Sequence, residues 1–167
     1  MTENTEMNSS TLLASTALPL TAQRTVKRAL SLLEKHLREP GALFTSTNTA
    51  RDWLRLQLAG LEREVFIVLY LDNQHRLLAC ETLFTGSIRS TEVHPREVVK
   101  AALRHNAAAV ILAHNHPSGE AEPSQADRQI TDRLVNALAL VDVKVLDHLI
   151  VGGLDIVSFT ERGWLPG

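Results

Sequence analysis

Apolar positions recur along this chain with two different periods, and each change of period marks an element. From Arg24 to Glu39, Val26, Ala29, Leu30, Leu33 and Leu37 mark one face of an amphipathic helix, which Pro40-Gly41 ends. The spacing predicts a second helix over Ala50 to Ala59, with Trp53, Leu54 and Leu58 inward, Thr49 and Asp52 as a capping-box pair, and Gly60 at its end. Val65 to Leu71 is an unbroken apolar run, Asp72-Asn73 supplies turn residues, and Arg76 to Phe84 reads as the returning strand of an antiparallel hairpin. Gly86 breaks that strand. Pro95 then opens a helix to His105 with Val98, Val99, Ala102 and Leu103 as its stripe. Ala107 to Ala113 is again uninterrupted and apolar, as expected for a strand buried on both faces. Ser124 caps a helix whose Ile130, Leu134, Ala137 and Leu138 share a face. Val143 to Val151 is a strand, Gly152-Gly153 a turn, and Asp155 to Phe159 a short closing strand.

This order predicts a single mixed α/β domain, with helices against a mixed or mostly antiparallel sheet. A chain of 167 residues with 44% hydrophobic content is long enough to bury one sizeable core. Residues 1–22, rich in Thr, Ser and Asn, bury little and are expected to form a flexible segment ahead of a domain spanning 23–167. The formal net charge of -2 lends no support to nonspecific nucleic-acid binding through a basic surface, although it does not exclude a local patch, so a nucleic-acid partner is disfavoured but not excluded. A single cysteine, Cys80, excludes an internal disulfide; a buried thiol in an apolar strand suits a reducing cytoplasm. The apolar runs are far too short for a membrane span and no basic segment precedes Leu12 to Leu20, so neither a signal peptide nor a membrane partner is expected.

The chemistry concentrates between His114 and Asp127. His114 and His116 follow a buried strand at a spacing that points both imidazoles to one side, with Asn115 pointing away. Pro117 and Gly119 turn the chain back, and Asp127 lies on the inward face of the next helix. A carboxylate near a core is costly unless a cation or donors meet it. Two imidazoles and one carboxylate are the ligand set of open zinc sites that keep a position for water. Zinc lowers the pKa of a water it binds, but peptide hydrolysis also needs a base to accept the proton and return it to the leaving amine. Glu64, at the entrance of a buried strand, is the candidate; spacing alone does not choose it over Glu62, Glu81 or Glu92. The Ser124 hydroxyl can donate to an oxyanion or simply cap its helix. His148 and Asp147 read as hydrogen-bonded residues supporting the site or the fold. Arg96 and Glu97 read as an ion pair, and His36, His75, His94 and His105 as surface residues.

His-x-His, seven residues, Ser, two residues and Asp, as spelled from His114 to Asp127, resembles the JAMM (JAB1/MPN/Mov34) metalloprotease motif. His114-Asn115-His116-Pro117-Ser118-Gly119 followed by Pro123-Ser124-Gln125-Ala126-Asp127 is similar to the RadC-like branch of that superfamily. Val93 to Glu97, Asn106 to Ala109 and Asp147 to Gly152 resemble it too, so the likeness covers roughly Thr47 to Gly163. The resemblance implies a JAB/MPN domain with a cytidine-deaminase-like layered architecture. It implies one zinc held by His114, His116 and Asp127, assistance from Ser124, and a base before the first core strand, the position of Glu64. The expected activity is hydrolysis of a peptide or isopeptide bond in a peptide or protein substrate. The alternative is a noncatalytic zinc-containing binding module associated with DNA repair or a protein complex. Longer RadC proteins carry an N-terminal helix-hairpin-helix segment, whose Gly-rich hairpins are not legible in Met1 to Thr47.

Overall fold

Helices α1 (Leu20–Leu37) and α2 (Asn48–Leu58) precede the hairpin of β1 (Val65–Leu71) and β2 (Leu77–Thr85). α3 (Pro95–Arg104) leads into β3 (Ala109–Asn115), α4 (Gln125–Ala139) crosses to β4 (Lys144–Gly152), and β5 (Asp155–Ser158) closes the order. These elements come from a computed structural model that describes residues 18–38, 48–58, 61–85 and 93–165. The sheet runs β2-β1-β3-β4-β5. β1 is antiparallel to both β2 and β3, β3 is parallel to β4, and β4 is antiparallel to β5, so the sheet is mixed.

Every residue of β1 and of β3 is buried, because helices cover both faces of the sheet. Ile67, Leu69, Ile111 and Ala113 meet Leu30 of α1 and Trp53, Leu54 and Leu58 of α2. Their neighbours Phe66, Val68, Val110 and Leu112 point the other way, onto Val98 and Ala102 of α3 and Ile130 and Leu134 of α4. Three layers result, and the unbroken apolar runs follow from them: along the covered middle of each strand neither face offers a solvated position, and polar residues enter only at the β3 end, where the site lies. Burying a Leu or Ile side chain this fully contributes about 1.5–3 kcal/mol each.

The boundaries differ from expectation in ways that bear on the site. α1 starts at Leu20, and α2 at Asn48, which puts Thr49 inside the first turn of α2. β3 runs to Asn115, which makes His114 part of the strand itself. Most of the expected flexible segment, residues 1–17, lies outside the described residues, as do Ala59, Gly60, Gly86 and Glu92. Cys80 is only partly buried in β2. Among the described residues, no helix is long and apolar enough to cross a membrane.

Candidate metal centre

β3 and β4 are parallel strands joined by α4, and the site forms where β3 ends, the usual place for ligands in such a unit. The His116 N–H still donates to Val151 O at 2.9 Å, so the chain keeps ladder geometry one residue beyond β3. A tight turn follows, with Gly119 N–H donating to His116 O at 3.0 Å and Gly119 at φ 88°, a conformation that favours glycine. The turn returns the chain to α4, whose first turn carries Asp127. Ser124 accepts the Asp127 N–H at 3.1 Å while the Asp127 carboxylate accepts the Ser124 N–H at 2.8 Å, a complete capping box.

Three side chains converge there. His114 Nε2 and His116 Nε2 are 3.1 Å apart, His114 Nε2 lies 3.1 Å from Asp127 Oδ1, and His116 Nε2 lies 3.2 Å from Asp127 Oδ2. Ligands bound to one tetrahedral zinc at about 2.0–2.1 Å stand roughly 3.3 Å from one another, so this donor set fits the ion. Glu64 comes from across the sheet. Phe66 is the antiparallel partner of His114, so continuing that register places Glu64 opposite His116, and Glu64 Oε1 is 3.9 Å from His116 Nε2. Glu64, His114 and His116 by themselves form a cluster able to hold a metal, with ligand atoms within 4.8 Å of one another.

The sequence pattern of the RadC-like JAB domain family matches residues 44–164. This chain belongs to that family. It is 72% identical over 148 residues to UPF0758 protein YfjY of Escherichia coli (strain K12), covering 89% of this chain and 92% of that protein. It is 67% identical over 140 residues to UPF0758 protein YeeS of the same strain, covering 84% and 95%. UPF0758 protein PSHAa2643 of Pseudoalteromonas translucida (strain TAC 125) is 58% identical over 141 residues, but these make up 63% of that longer protein.

In this RadC-like domain the electrostatics follow from burial. Burial alone would raise the Asp127 pKa, yet hydrogen bonds from His114, His116 and the Ser124 N–H outweigh it and hold the carboxyl far below its ordinary range. The hydrogen bond to Asp127 raises the pKa of His116 against the opposing effect of burial. His148 is fully buried, and that burial, reinforced by His114, pushes its pKa well below the usual value, so it stays neutral.

The remaining candidates separate clearly. Glu62 is exposed, and Glu81 is engaged by Arg104 at 2.5 Å and by His105 at 2.7 Å. His105 is therefore not the free surface residue expected: its ring lies against a buried carboxylate. Asp147 accepts the His148 and Thr160 N–H groups and the Ser158 hydroxyl, which ties the end of β5 to β4. Arg96 is exposed, 3.8 Å from Glu97. His148 supports the site through His114, with Nε2 2.8 Å from His114 Nδ1. Two contributors escaped the sequence reading. Thr131 touches His148 from α4, and its only trace in the sequence is helical i+4 spacing from Asp127. Asn115, which points away from the histidines, accepts the Val65 N–H at 2.7 Å and donates to Arg63 O at 2.9 Å, bracketing Glu64.

Proposed function

We propose that this RadC-like domain binds one zinc ion through His114, His116 and Asp127 and hydrolyses a peptide or isopeptide bond. The observation that carries the reading is the convergence of two Nε2 atoms and a carboxylate within 3.2 Å, with a second carboxylate, Glu64, at 3.9 Å. Zinc bound there would supply Lewis-acid activation of water near neutral pH. Glu64 Oε1 then takes the proton of the attacking water and returns it to the leaving amine. The Ser124 Oγ accepts the Asp127 N–H, and its own hydrogen is left to donate to a developing oxyanion. A cleft of about 410 Å³, bounded by Leu58, Leu61, His116, Pro117 and Gly119, opens beside the site and gives a substrate chain room to lie against His116. The net charge of -2 favours a peptide or protein over nucleic acid as that substrate. The single cysteine suits a cytoplasmic protein.

The cluster of Glu64 with the two histidines supports a second reading. If Glu64 is a fourth ligand, the coordination closes and the domain is a noncatalytic zinc-containing module serving a protein or DNA-repair complex. Elemental analysis of protein purified without added metal, followed by cleavage of a peptide library, tests the first reading. One zinc per chain with cleavage supports it; tightly held zinc with no cleavage under any condition favours the module.

A further inference from the structure

His114 turns its Nε2 toward Asp127 and His116, and its Nδ1 toward His148 in the layer between sheet and α4. The contacts beyond form a chain: His148 Nδ1 is 2.5 Å from Thr131 Oγ1, and Thr131 Oγ1 donates to Asp127 O at 2.6 Å. Counting hydrogens fixes its direction. A hydroxyl has one hydrogen, and Thr131 commits it to a carbonyl, which can only accept. Thr131 Oγ1 must therefore accept from His148 Nδ1–H. A neutral imidazole carries a single ring hydrogen, so His148 Nε2 is left as an acceptor and draws the hydrogen of His114 onto Nδ1. The Nε2 of His114 is then the nitrogen available for a metal. His148 and Thr131 are both at most 1% exposed, Phe66 stacks on His114 at 5.7 Å, and Phe159 lies 4.6 Å from His148, so no water can reverse the chain.

We infer that Thr131, acting through His148, is a positioning residue that selects Nε2 of His114 as the metal-binding nitrogen. The inference rests on the proposed ligand role of His114 and adds the device that prepares it. The arrangement is economical, since one turn of α4 presents the Asp127 carboxylate on one side and anchors the relay on Asp127's own carbonyl on the other. His116 reaches the same state more simply, with Nδ1 donating to Glu120 O at 2.9 Å. The protein thus orients its two histidines by different means, and only His114 depends on a second ring.

The test uses the full chain and two near-isosteric substitutions. Thr131→Val keeps shape without the hydroxyl, and Thr131→Ser keeps the hydroxyl. Long-range proton–nitrogen NMR of metal-free wild-type protein should show His148 in the Nδ1–H form; finding the hydrogen on Nε2 overturns the inference, whatever the protein hydrolyses. Competition against a chromogenic chelator, with zinc ions alone as the probe, should show Thr131→Val binding zinc about 10–100-fold more weakly. Thr131→Ser should restore wild-type affinity. Wild-type affinity in a Thr131→Val protein with unchanged circular dichroism also overturns the inference. Should Thr131→Val not fold, the wild-type His148 spectrum decides. Absence of zinc binding by the wild type would sink the proposed function while leaving the His148 tautomer to be judged on its own.

Discussion

Asn115 holds the backbone on both sides of Glu64, accepting the Val65 N–H at 2.7 Å and donating to Arg63 O at 2.9 Å. The residue between the two converging histidines thus brackets the carboxylate that faces them, so one short segment positions both the proposed ligands and the proposed base. Asn115→Ala removes this clamp and leaves the buried Val65 N–H unpaired, a cost of about 1–3 kcal/mol. Zinc content should be unchanged, while hydrolysis of a peptide found by library screening falls by up to about 10²-fold as Glu64 loses its placement. Loss of zinc in this variant would show that Asn115 supports the histidines and not Glu64.

His116→Ala and Glu64→Gln separate ligand from base. The first should lose zinc and activity together, because nothing else on the turn after β3 offers a nitrogen to the site. The second keeps the size of Glu64 but cannot take a proton, so zinc should remain while the rate falls about 10²–10⁴-fold. Zinc loss from Glu64→Gln would make Glu64 a ligand, in line with its 3.9 Å approach to His116.

Gly152 lies under the loop that carries the His116 partner. A Cβ there would come within 2.6 Å of the Glu120 carbonyl carbon and closer still to Ala121 N, so the backbone must move. Gly152→Ala should cost about 1–3 kcal/mol in urea denaturation. It should also weaken zinc binding, because Glu120 O accepts the His116 Nδ1–H. Loss of stability with unaltered zinc affinity would show that the loop and the site are uncoupled.

The raised pKa of His116 gives a pH dependence of known sign. The folded metal-free protein holds this proton more tightly than the unfolded chain. The resulting stability is fully present below the unfolded pKa of about 6.5 and is lost as pH rises through the folded value. The gap in Tm between metal-free wild type and His116→Gln should therefore narrow with rising pH. Zinc must expel the same proton, so its affinity should climb over that interval. An affinity flat in pH would remove His116 from the ligand set.

Ser124 sits at the cap of α4, and Ser124→Ala should cost about 0.5–2 kcal/mol through the lost Asp127 N–H bond. A further fall in turnover of about 10²–10³-fold at full zinc occupancy would identify the hydroxyl as an oxyanion donor. Unchanged turnover confines Ser124 to capping.

Much of this protein is written locally. Chain order and element type follow from apolar runs and helical stripes, because a strand covered on both faces is apolar along most of its length and a surface helix has a polar side. His114, His116 and Asp127 were legible for a related reason: a strand end, a tight turn and a helix cap are short-range structures, and they bring those three side chains together within fourteen residues of chain. Glu64 is different. Only the antiparallel pairing of β1 with β3 carries its register across to His116, and pairing between strands far apart in sequence leaves no periodic trace, which is why Glu62, Glu81 and Glu92 were equal candidates on spacing. The Asn115 clamp spans 50 residues, and the path from His114 through His148 to Thr131 joins β3, β4 and α4. Such contacts exist only once the layers have closed, when burial leaves each polar group no partner but the one the fold supplies.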